Sequence, residues 1–227
     1  SAGGKAGQWL IDPANIVIKE STSPDIEPVS ETEFYTVFEP ASDLPDPSVV
    51  DAGAVVDALA VGGSVTVTTE VSGSVGDALG TISVESPLVI PNDPDLQSIA
   101  VLQLLAADTI TIQAEIINQD EDLTLALIFV ANDNFLMVDT PGLIGIVGGQ
   151  SEAGEQDSKK NPNFQLGDLI IQDSIDTGAA GGPMIFGGVN ITLEDGATLN
   201  SEGSNIILVG INPVIDPDQQ EPLGSIS

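Results

Sequence analysis

Ile110-Thr111-Ile112-Gln113-Ala114-Glu115-Ile116 leads across the polar turn Asn118-Gln119-Asp120-Glu121-Asp122 into Leu123-Thr124-Leu125-Ala126-Leu127-Ile128-Phe129-Val130. The fold turns on this stretch. Apolar and polar residues alternate with period two, and β-branched side chains dominate, which is the signature of a half-buried strand. The gap between the runs is built from Asn and Asp, which support turns through their own backbone hydrogen bonds. The same unit recurs in both directions. Ile82-Ser83-Val84 and Ile191-Thr192-Leu193 repeat the small hydroxyl residue between two apolar ones. Val65–Thr69, Leu88–Ile90, Val101–Leu105, Phe135–Val138, Leu169–Gln172 and Ile206–Val209 complete the set of predicted strands.

Short strands with turns at intervals of about 20 residues read as stacked repeats, each too small to bury its own apolar face. The prediction is an all-β chain: a right-handed parallel β-helix (β-solenoid), with inward Ile, Val and Leu in columns and outward Thr, Gln, Glu and Asp in wet ladders. An antiparallel sandwich would show the same alternation. Asn-Gly and Asp-Gly hairpin turns are scarce, however. Asp195-Gly196 is the one such site, and a hairpin there stays open.

Residues 21–51 break the pattern. Pro24, Pro28, Pro40, Pro45 and Pro47 sit among acids, and proline is kept off central ladders. Within them Phe34-Tyr35-Thr36-Val37-Phe38 reads as a strand or edge cover. Val49 to Val61 then places Val50, Ala54, Val55, Ala58 and Leu59 at helical spacing, predicting one short helix. Between 139 and 168 the alternation thins into glycine and polar residues, predicting a long surface loop. Ala179 to Gly188 reads as a glycine-rich turn in which Met184, Ile185 and Phe186 cap a coil. The expected organisation is one module over 1–227. It comprises a first strand and cap (1–20), a Pro- and acid-rich excursion with the helix (21–63), the main stack (64–211) and an extended tail (212–227).

Two pieces carry a family resemblance. The head runs Gly3-Gly4-Lys5-Ala6-Gly7-Gln8-Trp9-Leu10-Ile11-Asp12-Pro13-Ala14-Asn15-Ile16-Val17-Ile18. Further on, the helix ends Leu59-x-x-Gly62 and is followed by Ser64-Val65-Thr66-Val67-Thr68. Both are similar to the segment that opens the fibre region in filamentous-haemagglutinin-like adhesins of the two-partner secretion type. The likeness covers about the first half of the chain, through Ile116. It implies a bacterial, extracellular or cell-surface, structural or adhesive module without catalysis, with Trp9 packed over the head of the stack.

Composition narrows the classes further. The 227 residues carry 35 acids against four lysines, with no arginine and no histidine, for a formal charge of -31. With 41% hydrophobic residues the chain is a folded body in an acidic coat rather than a disordered acidic tail. Such a coat argues against nucleic acid, whose phosphates demand Lys and Arg. Its self-repulsion is relieved in saline surroundings. No apolar run reaches the ~18 residues of a membrane span. With no signal peptide at the front, residue 1 reads as the start of a processed or trimmed piece of a longer parent. The absence of cysteine and histidine removes nucleophilic triads and ordinary zinc sites.

Carboxylates remain as the candidate chemistry. Calcium favours six to eight oxygen ligands. The Asn- and Asp-rich turns nominate Asp93, Asp95, Asp120, Asp122 and Asp133 as calcium ligands, with Asp216 and Asp218 forming a similar cluster. None matches the twelve-residue calcium loop, and turn-forming Asn and Asp with solvated charges are the simpler account of each cluster. An alternative function is a carbohydrate-binding or carbohydrate-active β-helix using paired carboxylates drawn from Asp120, Glu121, Asp122, Asp133, Asp139, Asp173 and Asp176. The expected partner is a second copy meeting end to end or the longer parent chain, with a cell surface or carbohydrate as ligand.

Overall fold

A computed structural model describes residues 15–26, 30–32, 35–38, 47–69, 80–92, 99–131, 137–140, 143–146 and 167–210. The described residues are mostly β, with one helix, three sheets whose strands run almost entirely parallel and a separate two-stranded antiparallel sheet, an arrangement compatible with a β-solenoid.

The head contains β1 (Ile16–Lys19), β2 (Ser30–Thr32), β3 (Tyr35–Phe38), β4 (Ser48–Asp51), the helix α1 (Ala52–Ala60) and β5 (Ser64–Thr68). Four rounds of three strands follow. The first is β6 (Ile82–Val84), β7 (Leu88–Ile90) and β8 (Ile99–Ala106). The second is β9 (Ile110–Ile112), β10 (Ile116–Asn118) and β11 (Thr124–Ala131). A hairpin, β12 (Met137–Thr140) with β13 (Leu143–Ile146), is inserted next. The third round is β14 (Asp168–Ile171), β15 (Ile175–Asp176) and β16 (Met184–Gly188); the fourth is β17 (Asn190–Leu193), β18 (Leu199–Asn200) and β19 (Ile206–Gly210).

Every round visits a six-stranded, a four-stranded and a seven-stranded sheet in that order. Each strand lies beside its counterpart in the round before. Because side chains alternate across a strand, parallel register aligns like with like. In the six-stranded sheet Ile16, Ile82, Ile110, Leu169 and Ile191 form one inward column, while Ile18, Val84, Ile112, Ile171 and Leu193 form another. The seven-stranded sheet aligns Val67, Leu104, Phe129, Phe186 and Leu208. Phe129 and Phe186 stack with ring centroids 5.1 Å apart. Full burial of each such side chain contributes roughly 1.5–3 kcal/mol, so the columns are the main source of cohesion.

Several expectations need correction. The run Ile110 to Ile116 is not one strand: the chain turns a corner at Gln113, Ala114 and Glu115, and its two ends belong to different sheets. Asp195-Gly196 makes another corner, not a hairpin, with Ala197 N–H donating to the Glu194 carbonyl at 3.0 Å. Met184 to Gly188 is an interior strand rather than a cap, held between β11 and β19. Among the described residues antiparallel pairing is confined to β2–β3 and β12–β13.

The helix begins three residues later than its apolar spacing suggested, since Val49 and Val50 pair in β4 with Val17 and Ile18. Its N-cap is Asp51, whose Oδ2 accepts from Ala54 N–H at 3.1 Å. It stops where Gly62, at φ 76°, takes the left-handed conformation that glycine tolerates best. Gly62 N–H donates to the Leu59 carbonyl at 2.9 Å. Among the described residues no helix is long and apolar enough to cross a membrane.

Candidate functional site

The nominated calcium ligands fare unequally. Asp93, Asp95 and Asp133 lie outside the described residues, as do Asp216, Asp218 and Trp9. Asp120 sits at the corner between β10 and β11 and is 1% exposed. Its Oδ1 accepts from Asp122 N–H at 2.8 Å and from Leu123 N–H at 3.0 Å. Asn118, 3% exposed, braces the same corner. Its amide donates to the Leu123 and Thr177 carbonyls at 2.7 and 3.0 Å, while its oxygen accepts from Asp120 N–H at 3.0 Å. Asp120 thus spends an oxygen on amides that a buried corner would otherwise leave unpaired, a costly state. Asp122 and Glu121 are exposed. Asp173 and Asp176 serve turns as well, accepting from Ser174 N–H at 2.7 Å and Gly178 N–H at 2.8 Å. Asp139 is in β12. No group of three or more acids among the described residues is placed to hold a metal ion.

One carboxyl was not nominated. Asp108, between β8 and β9, is 4% exposed, and Thr109 Oγ1 donates to its Oδ1 at 3.2 Å. Burial pushes its pKa above the ordinary carboxylate value; the Thr109 hydroxyl partly opposes this, and the charge of Asp168 adds a smaller upward push. Asp168 itself receives Asn190 Nδ2 at 2.8 Å. Nothing in the sequence marks this pair, because residues 108 and 168 meet only once β9 and β14 are side by side.

The two ends of the stack differ in what covers them. At the head each sheet meets an element that departs from the parallel repeat. The outermost strand of the six-stranded sheet is β4, with β1 one place further in. Residues 25 and 26 fold back on β4: both N–H groups donate to the Val49 carbonyl, at 2.8 and 3.0 Å, and Asp25 Oδ2 accepts from Val49 N–H at 3.0 Å. Ile26 is consequently 2% exposed. Over the four-stranded sheet lies α1, packed on β7 with Val55 and Leu59 fully buried. The seven-stranded sheet ends in the antiparallel turn-back of β2 on β3.

The tail differs. Among the described residues β17, β18 and β19 are the last strands of their sheets. Leu193, Leu199 and Leu208, which continue the inward columns, are only half-buried. Ile206 and Ile207 are 39% and 45% exposed. A parallel edge with apolar side chains is a template for further strand pairing.

The outer face of the seven-stranded sheet is also divided. Near the head it carries Ser64, Thr66 and Gln103, with Thr66 Oγ1 donating to Gln103 Oε1 at 3.3 Å. Toward the tail the same columns hold Ile128, Ile185 and Ile207, beside Val130 and Val209. Ile128, Val130 and Val189 form a second apolar cluster. The expectation of polar outward ladders thus holds for the other two sheets at the tail, where Gln172–Glu194 and Asn200–Asp176 bridge successive strands at 3.0 and 3.2 Å. It fails on this one. The run Leu125 to Val130 has no polar residue in it, so both its faces are apolar.

No family model matches the chain, and no curated protein or solved structure matches it either.

Proposed function

We propose that the chain is an extracellular structural or adhesive fibre module of a bacterial surface or secreted protein, folded as a right-handed parallel β-helix and resembling the start of a filamentous-haemagglutinin-like fibre. The observation that carries the reading is the fixed rotation of the chain through three parallel sheets in matched register. Parallel crossovers within one sheet are right-handed in nearly all proteins, which supplies the hand. A stack of this kind lengthens by about 4.8 Å per round, so it spans distance economically and exposes a long side surface. The unequal ends support a polar module, built outward from a head covered by elements outside the repeat. The acidic coat, -31 in charge, keeps such rods apart in dilute salt.

Negative-stain electron microscopy of the purified chain tests this, with parallel attachment assays of coated beads to cells. Elongated particles that bind a surface are expected. Round particles, or rods that bind nothing the uncoated beads do not, would reject the corresponding half of the reading.

The buried Asp108 beside Asp168 favours one second reading, a carbohydrate-active β-helix using paired carboxylates. Turnover of an acidic or neutral polysaccharide, lost in both Asp108→Asn and Asp168→Asn, is its test.

A further inference from the structure

The corner from the six-stranded to the four-stranded sheet takes three residues in each of three rounds: 85–87, 113–115 and 172–174. In the last round it takes five, 194–198. The longer corner carries Asp195-Gly196, and no other aspartate or asparagine of the chain is followed by glycine. We propose that Asp195-Gly196 is a site of spontaneous covalent modification, at which the aspartyl linkage rearranges to isoaspartyl through a cyclic imide.

The step balances with solvent water as the co-reactant. The Gly196 backbone nitrogen bonds to Asp195 Cγ. A carboxyl oxygen leaves as water, taking one proton from the protonated carboxyl and one from the nitrogen. Water then adds at the main-chain carbonyl of the imide and breaks the bond from that carbon to nitrogen. The chain thereafter runs through Cγ, the α-carboxyl is free, and the composition is unchanged. The corner is longer by one backbone carbon.

Three observations place the reaction here. Glu194, Asp195 and Gly196 are all exposed. Gly196 sits at φ 96°, and a Cβ built on it would meet nothing within 4 Å, so no neighbour screens its nitrogen. Glycine also gives the backbone the freedom to turn into the ring. Among the described residues nothing is hydrogen-bonded to the Asp195 carboxyl or to the Gly196 N–H. The turn is closed by Ala197 N–H on the Glu194 carbonyl at 3.0 Å, which spans the pair without engaging either group.

Nearby sites lack that freedom. Asp176 has Oδ1 on Gly178 N–H at 2.8 Å and Oδ2 on Asn200 Nδ2 at 3.2 Å. The nitrogen that would attack it, that of Thr177, already donates to the Asn200 carbonyl at 3.0 Å. Asn200, followed by Ser201, shares its amide between Asp176 and Glu202, and its oxygen accepts from Glu202 N–H at 3.2 Å. The inference is independent of the adhesive reading.

The full chain, kept folded in warm, mildly acidic buffer, is sampled over time and digested with a protease that cuts before aspartate. Mass spectrometry should show a peptide of unchanged mass that resists cutting at 195. Its rate of appearance should lie within about tenfold of that in the urea-unfolded chain, because an exposed corner opens at little cost. Asp176 should lag its own unfolded rate by more than ~10-fold, since its hydrogen bonds must first break. Methyl uptake from an isoaspartyl-specific carboxyl methyltransferase should rise with the same time course. Asp195→Glu keeps the charge but demands a larger ring, and should hold the uptake at its starting level. Equal slowing of residues 195 and 176 on folding would overturn the proposal, as would methyl uptake undiminished in Asp195→Glu.

Discussion

The head and the tail of the stack meet the same physical problem and answer it differently. Any run of parallel strands leaves unpaired backbone groups and a cut-open core at both ends. At the head the chain uses three unlike devices: a fold-back onto Val49, a helix over the four-stranded sheet and an antiparallel turn-back on the seven-stranded one. At the tail the described strands keep the geometry of the rounds before them, and Leu193, Leu199 and Leu208 stay half-buried. Covering an end takes residues that break the repeat, and among the described residues these lie at the head. The lesson is that the module has a direction.

The largest expected effect tests whether α1 is a true lid. Leu59→Ala removes a side chain that is fully buried in the core and should cost about 2–5 kcal/mol. Leu208→Ala, at the half-open tail, should cost nearer 1 kcal/mol. Urea unfolding of both reads the gap, and equal costs would erase the distinction between the ends.

Asp51 sharpens the head side. Its Oδ2 caps α1 through Ala54 N–H, and its Oδ1 accepts from Ser21 N–H at 2.9 Å, tying the excursion to the helix. Asp51→Ala should cost about 1 kcal/mol, and it should loosen residues 21–26 by hydrogen exchange while β17–β19 keep their rates.

Asp108 supplies a control from the middle of the stack. Its folded pKa is raised above the unfolded value. The folded state therefore holds the proton more tightly, and stability is lost as pH climbs from the ordinary carboxylate range through the raised folded value. Asp108→Asn should accordingly raise the melting temperature at pH 7–8, with the gain vanishing near pH 4. A gain independent of pH would show that the carboxyl's charge is not what matters.

Ile207→Glu gives the smallest expected change in stability, within about 0.5 kcal/mol, as for other exposed positions. Ile207 is 45% exposed on β19. Sedimentation at high salt should show less self-association than the parent chain. A cost approaching that of Leu59→Ala would mean that the tail is covered after all.

The division between sequence and tertiary structure follows the range of the forces involved. Alternation is local: Ile82-Ser83-Val84, Ile110-Thr111-Ile112 and Ile191-Thr192-Leu193 announce strands because one face of each must leave water whatever lies beside it. They even fall in matching register, whereas the similar Leu123-Thr124-Leu125 belongs to another sheet. The helix was legible for the same reason, through Val55 and Leu59 at one face and Gly62 at its end. Corners were not. Gln113, Ala114 and Glu115 keep the alternation of the strand they interrupt, so only the neighbouring rounds decide that the chain bends there. Met184 to Gly188 reads as a turn by its glycines, yet Phe129 stacks on Phe186 and makes it a strand. Asp120 had the composition of a calcium ligand, and the amides of its own corner used it. The sequence by itself determined that most of these segments are short strands with at least one apolar face. Only the tertiary structure decided which sheet each strand joins, which end is covered by elements outside the repeat and where Asp108 meets Asp168, because those outcomes depend on contacts between residues twenty or more positions apart, which no local pattern encodes.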